Sequence, residues 1–157
     1  MYRVEELRSI KHVEDLIPMA EAFFVEMSGP PLVFDPNFIR KYADAIRHDF
    51  DRISYNAWVA YKEEEAVGFL VGTASQYFFS AQVSARQELW YVRPAFRGSR
   101  IAFDLIRAFQ RWGLDIGAVE LYTGIVSADA ETGKKVSRIL TKIGFPRAGT
   151  YHRKIAG

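Results

Sequence analysis

Three strand-like runs follow one another along the chain, Asn56–Tyr61, Ala66–Thr73 and Gln87–Val92, and they constrain the fold more than any other feature. Consecutive strands with short polar links pair antiparallel. Lys62-Glu63-Glu64-Glu65 is such a link, so the first two runs predict a hairpin. A helical stretch, Ser99–Asp115, then separates the third run from a further one, Ala118–Val126. A strand–helix–strand step needs a crossover and a locally parallel pair. One sheet must therefore hold both kinds of pairing.

The rest of the chain fits around that sheet. Tyr2–Leu7 predicts a short first strand. Asp15–Met27 reads as a helix with Asp15 as cap and Pro18 in its first turn, where the missing N–H costs nothing. Ser28-Gly29-Pro30-Pro31 breaks it. Asp35-Pro36 starts a second helix, cap followed by proline, with Phe38, Ile39, Tyr42, Ala45, Ile46 and Phe50 as its apolar stripe. Ser75–Ala85 is ambiguous between extended strand and aromatic loop. Asp129–Ile143 predicts the last helix, with Val136, Ile139, Leu140 and Ile143 inward and Gly144 as its stop. Thr150–Ile155 closes the chain as a strand. The expected fold is a single α/β (α+β) domain over residues 1–157, ordered β-α-α-β-β-β-α-β-α-β. Its mixed twisted sheet holds six to seven strands, flanked by about four helices.

Composition removes several kinds of chemistry. The 157 residues include no cysteine, which excludes disulfides, thiol catalysis and Cys-based zinc sites. His12, His48 and His152 are scattered without metal-ligand spacing, so no metal is expected. The first residues lack the apolar core of a secretory signal, and no run of about 18 apolar residues is present to span a bilayer. A cytoplasmic location without membrane contact is the expectation. The net charge of +2 is too mild to predict nucleic acid, which needs a clustered basic face.

Where Glu88–Val92 ends, Arg93-Pro94 leads through Arg97-Gly98-Ser99-Arg100-Ile101-Ala102 into the helical stretch. A strand that delivers its end to a glycine turn and a helix N-terminus makes an anion site. The first helical N–H groups lack partners there, and the helix dipole is positive. Arg93, Arg97 and Arg100 surround the turn and can add charge-assisted bonds. An ordinary connection with a solvated basic patch has the same spacing.

These residues also carry a resemblance. Val92, Pro94, Arg97, Gly98 and Ala102 agree with the pattern V-x-P-x-x-R/Q-G-x-G-x-G/A of the GNAT superfamily of N-acetyltransferases, and Lys142-Ile143-Gly144-Phe145 resembles that family's K-x-G-F ending. Arg100 departs from it, since glycine is usual there. The resemblance covers essentially the whole chain and implies an acetyl-CoA cosubstrate. Its pyrophosphate is expected on the backbone of Arg97, Gly98, Ser99, Arg100, Ile101, Ala102 and Phe103. Its pantetheine arm is expected beside Trp90, Tyr91 and Val92, where the sheet splays open at a bulge.

Acetylating an amine needs a base for the acceptor nitrogen, a donor for the thioester carbonyl and, in some enzymes, an acid for the departing thiolate. Glu88 is the candidate base and Glu120 the second choice; the backbone N–H around Val92 is the donor the resemblance implies. The tyrosine that often serves as acid falls at Leu140 in this chain. Tyr122 is taken as its substitute, with Tyr91, Tyr151 and Ser127 as alternatives. The family's asparagine near the start of the last helix is replaced by Asp129, itself a natural cap, or by Thr132. Phe34, Asp35 and Tyr42 fall where relatives shape the acceptor pocket, and Tyr77-Phe78-Phe79 suits an opposite wall or a contact between two copies in a homodimer.

The expected function is transfer of an acetyl group to a primary amine of a small molecule or protein. A catalytically silent CoA-binding or interaction module is the competing reading, kept open by Leu140 and Arg100. A third is acylation of a nucleic-acid-linked amine, which would require steeply salt-dependent RNA binding.

Overall fold

The computed structural model describes residues 1–27, 32–48, 54–124, 130–150 and 154. Among them the order is β1 (Tyr2–Glu6), α1 (Ile10–Met27), α2 (Pro36–His48), β2 (Tyr55–Lys62), β3 (Glu65–Tyr77), β4 (Ser80–Val92), a 3-10 turn (Pro94–Phe96), α3 (Ile101–Asp115), β5 (Glu120–Tyr122) and α4 (Ala130–Lys142). This is the expected order up to its last strand. Of Thr150–Ile155 only Thr150 and Lys154 are described, and neither is in a strand. Ser28–Pro31, Phe50, Ser127, Asp129, Tyr151 and His152 lie outside the described residues.

The strands form one sheet in sequence order, β1-β2-β3-β4-β5. The first four pair antiparallel and β5 lies parallel to β4. The sheet is mixed, as the run of strands requires, but holds five strands among the described residues instead of six to seven. The ambiguous segment accounts for part of the difference. It adds no element of its own; it lengthens its neighbours into a hairpin of two 13-residue strands turning at Phe78-Phe79.

Alternation along the strands separates two cores. One face carries Ala57, Val59, Tyr61, Phe69, Val71 and Tyr91 against α1 and α2. The other carries Trp58, Ala60, Val67, Leu70, Ala85 and Val92 against α3 and α4. Helix α1 contributes Val13, Leu16, Ile17 and Ala20, and α3 contributes Ile101, Leu105, Ile106, Phe109 and Trp112, both at helical spacing.

Two helix details correct the sequence reading. Helix α1 begins five residues before Asp15, because Ser9 is its cap. The Ser9 hydroxyl accepts the His12 N–H at 3.2 Å, and His12 Nδ1 accepts the Ser9 N–H at 3.4 Å and the Arg8 N–H at 3.0 Å. Histidine fills the role that glutamate plays in a capping box. Pro18 therefore sits in the helix interior, where only strong packing of neighbouring turns offsets a cost of about 3 kcal/mol. Val13, Leu16, Ile17 and Met19 supply that packing. Asp15 is freed from capping and accepts the buried Tyr61 hydroxyl at 2.7 Å. In α4, Ile139 is half exposed instead of inward, and Leu140 alone is fully buried.

The expected start of α2 and stop of α4 hold. Asp35 Oδ1 accepts the N–H groups of Asn37 and Phe38 at 2.9 and 3.2 Å, with Pro36 at the first helical position. Gly144, at φ +98°, ends α4 in a Schellman motif. Its N–H bonds the Thr141 carbonyl, and the Phe145 N–H reaches back to that of Leu140 at 2.9 Å.

Candidate active site

The pairing of β4 changes halfway along its length. Ser84, Ala85 and Arg86 pair with Glu120, Leu121 and Tyr122, and beyond Arg86 the two parallel strands part. Gln87 marks the separation: its side-chain carbonyl accepts Thr123 Oγ1 and the Gly124 N–H, both at 3.1 Å. From Gln87 to Val92, β4 keeps β3 on one side and has no strand partner on the other among the described residues. The two C=O and N–H groups of one residue in an antiparallel strand share a side, and neighbours alternate. The Arg93 N–H bonds Val67 on β3, so Val92 turns its polar groups to the open side. There Arg97 Nε holds the Val92 carbonyl at 2.9 Å, while the Val92 N–H faces the gap.

A bulge sits at the same place. Gly72 pairs with Gln87 and Val71 with Leu89, which leaves Glu88 as the extra residue. Leu89 packs into the α1/α2 core. The Glu88 carboxylate turns to that same face, where it accepts the Thr73 hydroxyl at 2.7 Å and remains exposed. The aromatic pair Tyr42–Tyr55 stands nearby, edge to face at 5.9 Å between centroids. Burial first, then the charges of Tyr55 and Glu88, push the Tyr42 phenol above its ordinary range.

At the end of β4 the turn presents backbone donors. The first α-helical bond of α3 runs from the Asp104 N–H to the Arg100 carbonyl, so the N–H groups ahead of it have no helical acceptor. Those of Arg97 and Ser99 are used within the turn, and that of Ile101 meets Ser99 Oγ only at 3.4 Å. Among the described residues the N–H groups of Gly98, Arg100, Ala102 and Phe103 have no acceptor. Gly98 has φ +86°, which a side chain disfavours, and a Cβ there would meet open space. Arg100 has an ordinary helical backbone (φ −68°, ψ −11°), so its side chain causes no strain where the family has glycine.

The three arginines do not converge on these donors. Arg93 Nε bonds the Ala66 carbonyl at 2.9 Å. Arg97 ties Val92 to Glu26 of α1, with a 2.5 Å ion pair, and lies over the Tyr91 ring. Arg100 forks onto Asp104. The anion-binding capacity of the turn therefore rests on backbone and helix dipole.

Of the other candidate residues, Tyr91 and Val92 are buried at the end of β4. Trp90 is half buried and its indole N–H, shielded from solvent, has no acceptor. Tyr122 pairs with Arg86 and shares the Glu88 face, but its hydroxyl donates to Glu120 at 2.5 Å, and the Tyr77 hydroxyl donates to the same carboxylate oxygen. This bonding to the carboxylate raises the Tyr122 pKa well above the ordinary tyrosine range, while both phenols lower that of Glu120. Tyr122 is thus a weakened acid. Phe78 and Phe79 project from the hairpin turn, fully exposed, and only Tyr77 of that trio reaches the site. Leu140 is 4% exposed and packs in the α3/α4 core. Sequence reasoning missed Thr73 and Arg86, because nothing local marks either; only the cross-strand register sets them beside Glu88. Among the described residues no three of His, Asp and Glu cluster as metal ligands, and no helix is long and apolar enough to cross a membrane.

The arrangement suits a molecule with a pyrophosphate and amide groups: four free N–H donors at a helix start, an unpaired strand edge leading from them and an orphan indole donor on that strand. Several solved structures share this fold. An aminoglycoside N-acetyltransferase, AAC(6')-Iy, in complex with CoA superposes with TM-score 0.74 at 18% identity, covering 99% of this chain and 96% of its own. A ribosomal-protein-alanine N-acetyltransferase from Brucella melitensis biovar Abortus 2308 gives 0.69 at 15%, covering 100% and 99%. Glucosamine-6-phosphate N-acetyltransferase from Arabidopsis thaliana gives 0.73 at 12%, covering 99% and 98%. No curated protein sequence matches significantly. The acetyltransferase (GNAT) family model matches residues 19–132, which takes in the second half of α1, all of α2, the whole open edge of β4 and the donor turn, and the chain belongs to that family.

Proposed function

We propose that this protein is an acetyl-CoA-dependent N-acetyltransferase acting on a primary amine of a small molecule or protein, by direct attack on the thioester, in the cytoplasm. One observation carries the reading: among the described residues, the edge of β4 from Gln87 to Val92 is unpaired and ends at four free N–H groups where α3 begins. Three dissimilar acceptors among the structural relatives, an aminoglycoside, a protein amine and a sugar phosphate, share this fold, so the fold itself names no acceptor.

In this reading the N–H groups of Gly98, Arg100, Ala102 and Phe103 hold the pyrophosphate, with Ile101 beside them. The Trp90–Val92 edge lines the pantetheine arm. Arg97 and Ser99 shape the turn, Arg97 by fixing Val92 to α1 and Ser99 by bonding the Phe96 carbonyl at 2.6 Å. The Val92 N–H polarises the thioester carbonyl. Glu88, oriented by Thr73, takes the proton from the acceptor ammonium, directly or through water. The amine nitrogen then bonds the carbonyl carbon as the carbon–sulfur bond breaks, and the surplus proton left on that nitrogen passes to solvent water. Acetyl-CoA supplies the acyl group and a leaving thiolate, which takes its proton from solvent, since Tyr122 is a weakened acid and Leu140 has none to give.

Leu140 also favours the competing reading, a module that binds CoA without chemistry. Calorimetry with acetyl-CoA and a thiol-release assay across an amine panel separate the two, and a chain without cysteine gives that assay no background. Binding with release supports the enzyme. Binding without release across the panel supports the module, and no binding sinks both.

A further inference from the structure

Two opposite charges on the acceptor face form no ion pair among the described residues. Thr73 sits directly across from Arg86 in the β3/β4 register and donates its hydroxyl to Glu88, so all three side chains share the α1/α2 side of the sheet. Along a strand, positions two apart are separated by roughly 7 Å. The Arg86 guanidinium lies 4.6 Å from the centre of the Tyr122 ring. Among the described residues neither Arg86 nor Glu88 takes part in an ion pair, although nine such pairs are formed elsewhere. Both are exposed. The face therefore presents a carboxylate and a planar five-donor cation side by side, with the Tyr42–Tyr55 pair flanking the carboxylate.

Resting on the acetyltransferase reading above, we propose that the acceptor is an amine that also carries a carboxylate a few atoms away and an apolar side chain, in other words an apolar amino acid or a close analogue. Glu88 meets the ammonium, Arg86 takes the carboxylate in its fork, and the tyrosine pair covers the apolar group. A polycationic acceptor fits this face poorly. Its second carboxylate, Glu120, is already bonded by Tyr77 and Tyr122, and Arg86 would repel any further ammonium.

The test compares L-phenylalanine and L-leucine with their amides and with the polycation spermidine, by thiol release and by calorimetry on the CoA-loaded protein. In the wild type, kcat/KM for the free amino acids should exceed that for the amides by at least about tenfold, the order of one charge-assisted bond. In Arg86→Gln that preference should shrink to within about twofold while acetyl-CoA affinity stays unchanged. Equal use of acid and amide, a preference for spermidine, or an Arg86→Gln variant that weakens acid and amide alike would overturn the proposal. So would a protein that binds acetyl-CoA and takes none of the amino acids in either assay. Failure to bind acetyl-CoA is a separate result, and it strikes the acetyltransferase reading itself.

Discussion

The two halves of the candidate site are made of different material. The donor side, as proposed, is backbone: the N–H groups of Gly98, Arg100, Ala102 and Phe103 and the edge of β4 that no described strand covers, while the surrounding arginines are engaged with Ala66, Val92, Glu26 and Asp104. The acceptor side is side chain: Glu88, Thr73, Arg86 and the Tyr42–Tyr55 pair, assembled by a bulge and a register. A backbone site depends on φ and on where a helix starts, so it survives changes of side chain. A side-chain site depends on which functional group stands where, and one substitution can remove its chemistry.

The largest effect that would sharpen this contrast belongs to the acceptor side. Glu88→Gln keeps size and shape but removes the base, and should lower kcat/KM for the amine by about 100-fold or more without changing acetyl-CoA affinity measured by calorimetry. Unchanged turnover would make Glu88 structural. Next comes a change that attacks the backbone site through its glycine. Gly98→Asp brings a negative charge to an open position and should weaken acetyl-CoA binding roughly tenfold or more, at least ~1.4 kcal/mol. Gly98→Ala separates charge from conformation: at φ +86° it should cost about 1–2 kcal/mol of stability in a denaturant melt, with a smaller loss of affinity. Equal affinity in the aspartate variant would remove the turn from the donor site.

A third position, Leu140, probes the core behind the sheet. Restoring tyrosine at Leu140 would follow the family's pattern, but this position is packed in the α3/α4 core. Leu140→Tyr should therefore destabilise by about 1–3 kcal/mol, read as a lower urea midpoint, with no gain in kcat. A faster enzyme would show that the position can reach the thiolate. The smallest effect belongs to Arg100→Gly. Its guanidinium is spent on Asp104 and its backbone is ordinary helix, so acetyl-CoA affinity should move by less than about threefold. A larger loss would place the side chain on the ligand after all.

The same contrast explains what could be read from the chain. A glycine turn after a strand and before a helix leaves a pattern, and so do Asp35-Pro36 and Gly144, because each satisfies a local backbone need. Glu88 could be named as a carboxylate near the splay. Its surroundings could not, since a one-residue bulge leaves no mark in composition, yet it sets Glu88 and Leu89 on one face and brings Thr73 and Arg86 alongside. The arginines near the turn misled for a related reason. Their position in sequence says that positive charge is near, and only packing against Ala66, Glu26 and Asp104 says where it goes. Ser9 was legible in principle, as a serine three residues before a side chain able to accept its N–H, but the partner is histidine where glutamate is the familiar signal.

The central claim is that acetyl-CoA lies along the open edge of β4 with its pyrophosphate on the start of α3. A backbone amide NMR titration with acetyl-CoA tests it most directly. The account predicts the largest shifts at Gly98 and Arg100–Phe103, followed by Trp90 and Val92, with Ser84–Arg86 little changed because β5 already covers them. Shifts centred instead on the groove between α3 and β1, lined by Tyr2, Trp58, Arg107 and Arg111, or no shifts at all, would contradict it.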